Sequence, residues 1–365
     1  MAKAWLPRER LAALFEALKT AGFEVIGPKV KDGAIVLAPL EGPEELPSGW
    51  QEKAEAGSYR LEKTASQRCF AWNTGPQGLK PFLFKPEEVL WRAHKTADGI
   101  VFRQEQPQQS PKAFIGVRGC DLAALAIQDR HFLEGLEPDA HYQARRQGIF
   151  IVAVNCARSA ATCFCVSTGD GPQASTGFDL VLDELEAGFL VEAGSPRGRA
   201  IAASLPLEKA SPARFQAAEK QLQGARKQQR VMPAQAELAK LVDALDHERW
   251  QQVAERCLAC GNCTSVCPTC FCSKQQSLGD IHGLEAQQQR LWDSCFSVQH
   301  SYVAGKVVRF DIKHRYRQWL VHKLATWQQQ FGRSGCVGCG RCIAWCPVAI
   351  DLVEEAKAIL EGGHD

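Results

Sequence analysis

Eight of the sixteen cysteines in this 365-residue chain fall into two runs of identical spacing. Cys257, Cys260, Cys263 and Cys267 lead into Pro268, and Cys336, Cys339, Cys342 and Cys346 lead into Pro347. Each run reads C-x2-C-x2-C-x3-C-P, the ligand spacing of proteins that carry two four-iron clusters. Two intervening residues let the backbone wrap a compact metal core, and the fourth cysteine of each run serves the other cluster. The spacing therefore predicts one ligand set of Cys257, Cys260, Cys263 and Cys346 and a second of Cys336, Cys339, Cys342 and Cys267. Zinc knuckles built on C-x2-C pairs would leave half of these thiols unused. Gly261, Gly338 and Gly340 leave room for backbone N–H groups to approach sulfur, and Pro268 and Pro347 stop each run from continuing as helix.

Four further cysteines suggest a third centre. Ala113 to Arg118 and Gly148 to Asn155 are apolar, strand-like runs, and Asp121 to Leu133 between them has helical composition. Strand, helix, strand at this separation is a parallel crossover. Cys120 and Cys156 then fall just past the ends of two parallel strands, at the carboxyl edge where open sheets bind ligands. Cys163 and Cys165 follow in the loop Ala160 to Pro172. Cys120, Cys156, Cys163 and Cys165 are expected to hold a third 4Fe-4S cluster, with a structural zinc in the same four-thiol cage as the alternative.

The remaining thiols carry less. Cys69 stands alone and reads as a buried structural residue. Cys263, Cys267 and Cys270 also spell the C-x3-C-x2-C triad of radical enzymes, but the upstream run claims the first two and no barrel-like series follows. Cys270, Cys272 and Cys295 are expected to pack near a cluster, with lining a cluster or forming a reactive thiol site as the alternatives.

The elements that must position these residues can be read in order. Leu6, Leu11, Leu14, Phe15 and Leu18 have helical spacing and suggest an amphipathic helix ending near Gly22. Phe23 to Val30 and Ala34 to Leu40 read as strands about the turn Lys31-Asp32-Gly33, residues 41 to 60 as a surface loop, and Phe178 to Glu184 with Gly188 to Ala193 as a hairpin. Beyond Gly194 the texture becomes helical: Ser211-Pro212 reads as a cap and first turn with Phe215, Ala218 and Leu222 on one face, and Asp246 as the cap of the helix leading to Cys257. The insertion between the two runs reads as mostly helical, with Ile312, Tyr316, Trp319, Leu320, Leu324 and Trp327 on one face. Its basic residues, Lys306, Arg309, Lys313, Arg315, Arg317 and Lys323, form a solvated face, balance cluster charge or dock an acidic partner. The expected fold is α+β: an N-terminal α/β domain with a cysteine-rich site over residues 1–245, then an α-helical dicluster ferredoxin domain over 246–365.

Composition excludes several classes. With 43 basic and 41 acidic residues, the total charge gives no support for nucleic-acid binding. No run of about 18 apolar residues is present to span a membrane. The N-terminus lacks an apolar core or cleavage site, and so many cysteines without an export signal fit a reducing, cytoplasmic compartment. There is no G-x-G-x-x-G after a strand, no P-loop and no paired acid and base, so no residue is assigned a catalytic role.

Arg118-Gly119-Cys120-Asp121, Cys163-Phe164-Cys165 with the Gly169-Asp170-Gly171-Pro172 loop, Cys267-Pro268-Thr269-Cys270-Phe271-Cys272, Trp292-Asp293-Ser294-Cys295 and the run Cys336 to Pro347 together resemble a known family. It is that of the beta subunits of cytoplasmic NAD(P)-linked nickel-iron hydrogenases, the sulfhydrogenases, and the electron-transfer subunit of anaerobic sulfite reductase is similar. The match spans about residues 110 to 350, departing at Ser273-Lys274 and Gln299-His300-Ser301. The resemblance implies a relay with a flavin- and NAD(P)-binding electron-transfer subunit on one side. On the other side stand the hydrogenase small and large subunits, or the catalytic subunit of a sulfite reductase. A chain reducing sulfur or polysulfide by itself, or an iron-sulfur sensor, are the other classes.

Overall fold

The computed structural model describes residues 3–107 and 110–362. The strands in chain order are β1 Ala4–Pro7, β2 Glu24–Lys31, β3 Ala34–Pro39, β4 Trp50–Glu55, β5 Ser58–Lys63, β6 Glu87–Thr96, β7 Gly99–Gln104, β8 Lys112–Val117, β9 Ile149–Val154, β10 Leu180–Leu185, β11 Gly188–Ala193, β12 Glu208–Lys209, β13 Ser273–Gly279, β14 Glu285–Trp292, β15 Tyr302–Val303 and β16 Lys306–Val307. Eight of them form one sheet in the order β12-β1-β11-β10-β9-β8-β2-β3. Its centre, β10-β9-β8-β2, is parallel, and its flanks are antiparallel. Both faces are covered, which is why β9, Ile-Phe-Ile-Val-Ala-Val, is apolar at every position and buried at every position.

The crossover read from the sequence is present: β8 leads into the helix Gly119–Leu133, a short helix Ala140–Gln147 follows, and β9 lies parallel to β8. Elsewhere tertiary context overrides local pattern. Leu6 belongs to β1, and the helix after it is confined to Ala12–Thr20, with Leu14, Phe15 and Leu18 buried. The stretch 41–60 is not a plain loop but includes β4 and the start of β5, a hairpin that buries Glu52 and Ala54. Phe215 stays partly exposed while Ala218 and Leu222 are buried, and the helix Arg249–Arg256 starts after Glu248 rather than at Asp246.

The largest correction concerns the insertion between the cysteine runs. Its first half is the hairpin β13–β14; apart from a 3-10 turn at Val298–Ser301, helix is confined to Ile312–Phe331, as an α-helix, a π-turn over His322–Thr326 and a further α-helical turn. Tyr316, Trp319, Leu320, Leu324 and Trp327 of that helix are buried, as their spacing suggests. The hairpin pairs with β6 and β7 to form a second sheet, β13-β14-β6-β7, from segments about 190 residues apart. Glu88 fixes this sheet to the body: it meets Arg290 at 2.8 Å, His141 at 2.8 Å and Arg145, all buried. Among the described residues no helix is long and apolar enough to cross a membrane.

Arg118, fully buried at the end of β8, organises the edge where the cysteines gather. Its guanidinium donates to the carbonyls of Phe70 at 3.0 Å, Asn73 at 3.3 Å, Val154 at 3.4 Å and Trp72, and lies over the Trp72 ring. Replacing it strands several buried acceptors, each costing about 1–3 kcal/mol. Arg118→Leu is expected to lower unfolding stability by about 3 kcal/mol or more, measured by denaturant unfolding of anaerobic protein; a loss below about 1 kcal/mol would show that the clamp is redundant.

Candidate metal centres

The two cysteine runs fold alike. In each, the residue two after the first cysteine takes positive φ, Ala259 at 51° and Gly338 at 63°, and its N–H donates to that cysteine's sulfur, at 3.4 Å to Cys257 and 3.5 Å to Cys336. In each, a left-handed glycine, Gly261 or Gly340, starts a single helical turn, Asn262–Ser265 or Arg341–Ala344. The repeated spacing thus produces a repeated cradle whose N–H groups are aimed at sulfur.

The thiols of the two runs lie close to one another. Cys257, Cys260, Cys263 and Cys346 line one apolar cavity, which Cys342 also reaches, walled by Phe296, Tyr316 and Trp319. Cys336, Cys339, Cys342 and Cys267 are mutual electrostatic neighbours. Burial pushes the Cys263 and Cys342 thiols well up, and neighbouring sulfurs push them further. Such groups become thiolates together only with metal charge between them, so the donor set and its surroundings fit iron-sulfur clusters.

Cys267 is the exception among them. A hydrogen bond from the Cys270 thiol, then the charge of Lys323, the hydroxyl of Thr269 and the charge of Lys80 hold it well below the ordinary thiol range. Lys323 Nζ lies 3.5 Å from Cys267 Sγ and 2.9 Å from Thr269 Oγ1, although the side chain is buried. Lys80, also buried, donates to the carbonyls of Thr264 and Ser265 at 3.1 and 2.9 Å. Of the basic run in the insertion, Lys323 and Arg315 are buried rather than solvated; Arg315 donates to the Phe296 carbonyl.

Cys120, Cys156, Cys163 and Cys165 also converge, all buried. Cys120 sits in the first turn of the helix after β8, Cys156 two residues after β9, and the Ala160 to Pro172 loop folds back over both. Cys156 N–H donates to the Pro172 carbonyl at 3.1 Å. Cys163 and Cys165 are each neighbours of Cys156, and Cys120 of Cys165. Gln228 reaches in from the helical segment and donates to Cys165 Sγ at 3.2 Å. Burial pushes all four thiols up, so they would ionise together only with metal charge between them.

This third group abuts the second run directly. Phe164 N–H donates to the Gly338 carbonyl at 2.9 Å. A Cβ on Gly338 would come within 2.5 Å of the Cys165 backbone, and one on Gly340 within 2.3 Å of the Thr162 carbonyl. Cys339 neighbours both Cys120 and Cys165 as well as Cys267. Between them lies an ion pair, Arg341 to Asp121 at 2.8 Å, with both side chains buried. Burial works against charge on Arg341, but Asp121, Cys339 and Cys120 hold it protonated.

Cys69 is buried beside Ser48 Oγ at 3.2 Å, away from these groups. Cys270 leans on Cys267, whereas Cys272 and Cys295 lie 3.9 Å apart at the base of β13–β14. Lys80, Gln228, Lys323 and Arg341 carry no spacing signal, and only Lys323 is visible in the sequence, as one member of a basic run.

A family model described as "4Fe-4S dicluster domain" matches residues 256–350. Sulfhydrogenase 2 subunit beta of Pyrococcus furiosus is 31% identical over 293 residues, covering 78% of this chain and 83% of that protein. No solved structure matches the chain. With its paired cysteine cradles and this relative, the chain belongs to the family of sulfhydrogenase beta subunits.

Proposed function

We propose that the chain acts as an iron-sulfur electron-transfer subunit of a hydrogenase-type complex, a relay with three adjoining cluster sites. Four-iron clusters supply one-electron carriers whose potentials follow net charge, hydrogen bonds to sulfur and exposure. The observation that carries the three-site reading is Cys339, which neighbours Cys267 in one thiol group and Cys120 and Cys165 in another. The assigned ligands are Cys257, Cys260, Cys263 and Cys346; Cys336, Cys339, Cys342 and Cys267; and Cys120, Cys156, Cys163 and Cys165. A structural zinc in the last cage would have no need to lie against a cluster ligand. In this reading residues 1–245 supply the third cage and 246–365 the dicluster run, and the sheet β13-β14-β6-β7 joins the two parts.

The chain's own residues shape the sites in different ways. Lys323 places a buried cation 3.5 Å from Cys267 Sγ, which favours the more negative, reduced state of the middle site. Cys260 is exposed, and its neighbour Leu258 is 63% exposed, so the first site is the one open to a docked partner. The partners are the hydrogenase small and large subunits together with a flavin- and NAD(P)-binding electron-transfer subunit, and the compartment is the cytoplasm.

Removing a ligand tests the third site. Cys163→Ala, purified anaerobically, is expected to lower iron from about twelve to about eight atoms per chain; unchanged iron, with zinc lost in its place, would contradict the reading. Lys323→Met tests the role of the buried cation. The expected result is a potential more negative by about 60 mV or more for one cluster, the others unmoved, in a redox titration followed by electron paramagnetic resonance. No shift, or a positive one, would contradict it. Affinity purification of the chain from anaerobic cells should bring down a flavoprotein together with a nickel protein; a sirohaem partner would redirect the reading to sulfite reduction.

A further inference from the structure

The hairpin β13–β14 closes on two cysteines outside the ligand sets assigned above. Cys272 immediately precedes β13 and Cys295 follows β14 by three residues. Asp293 N–H donates to the Cys272 carbonyl at 2.9 Å, so the strand ladder runs to the base of the hairpin and sets Cys272 Sγ 3.9 Å from Cys295 Sγ. A disulfide needs about 2.05 Å. A single tetrahedral ion with metal–sulfur bonds of about 2.3 Å sets two thiolates about 3.8 Å apart. Each thiolate of a four-iron cluster binds a different iron, which spreads the sulfurs more widely.

A third donor stands beside them. His300, on the turn Val298–Ser301, has a nitrogen such that all three ligand atoms lie within 4.8 Å of one another. Its Nδ1 is 2.7 Å from Asp293 Oδ2, which leaves Nε2 for a metal. A carboxylate holding the far nitrogen of a histidine is the usual outer partner of a zinc-bound imidazole.

We propose that Cys272, Cys295 and His300 bind a single zinc ion, with Asp293 as the positioning residue for His300. Two sulfurs and one imidazole suit zinc, and three protein ligands leave a fourth corner for water or a small ligand. Cys272 and Asp293 line a cavity of about 210 Å³ shared with Lys80, Cys270 and Lys274, which has room for that ligand. The ion would close the base of the hairpin, which packs against the first cysteine run. Ser294, between Asp293 and Cys295, lies 2.8 Å from Thr264 Oγ1, and a Cβ on Gly261 would come within 3.1 Å of its hydroxyl.

The test uses full-length holoprotein purified anaerobically from cells supplied with Zn2+. Elemental analysis is expected to give about one zinc per chain besides the iron, and the zinc absorption edge to show two sulfurs at about 2.3 Å and a nitrogen at about 2.0 Å. Cys295→Ser and His300→Ala should lose the zinc and keep the iron, and Asp293→Asn should weaken zinc affinity about 10–100-fold with iron unchanged. The edge spectrum of the unaltered protein stands even if a variant misfolds. Absence of zinc from the unaltered protein, zinc retained in both ligand variants, or iron lost in step with zinc from variants that remain folded would overturn the proposal.

Discussion

Arg341 lies between two cysteines of the second run, and Asp121 follows Cys120 at the head of the helix after β8. Their charged groups meet at 2.8 Å with almost no solvent access. Desolvating such a pair offsets most of its Coulomb attraction, so its net contribution to stability is small. Breaking it is another matter, because a lone buried charge costs about 3–5 kcal/mol. The pair therefore acts chiefly as a register pin: only one seating of the second run on the sheet edge leaves neither charge orphaned. Gly338 and Gly340 allow the same seating sterically, since a side chain at either would collide with the Thr162–Cys165 stretch.

Much else depends on that seating. It brings Cys339 against Cys120 and Cys165, so that the thiol groups form one continuous series. It also buries Lys323 against Cys267, where a lysine would otherwise prefer water. A cation beside Cys267, N–H groups aimed at Cys257 and Cys336, and an amide at Cys165 give each group a different electrostatic setting. A relay needs such differences, because they decide which site takes the electron first.

The sequence made some of this legible and hid the rest for physical reasons. The crossover through Ala113–Val117 and Ile149–Val154 was readable because strands buried on both faces are apolar throughout, and it located Cys120 and Cys156 at one sheet edge. The hairpin β13–β14 was not. Its strand Glu-Ala-Gln-Gln-Gln-Arg-Leu-Trp has little intrinsic strand preference and is held by pairing with β6, about 190 residues away. The same long-range folding hid the ion pair and the grouping of Cys272, Cys295 and His300, whose spacing matches no common motif. Leu6 misled in the opposite way, since helical spacing over a few residues cannot distinguish a strand that feeds a helix.

The central claim is that the thiol groups hold three neighbouring clusters in one chain. Mössbauer and electron paramagnetic resonance spectra of the intact, fully reduced protein test it most directly. Three neighbouring clusters should give iron in three four-iron environments, with reduced signals broadened by magnetic coupling between neighbours. Two coupled clusters together with a four-sulfur zinc site at Cys120, Cys156, Cys163 and Cys165, or three clusters without magnetic coupling, would contradict it.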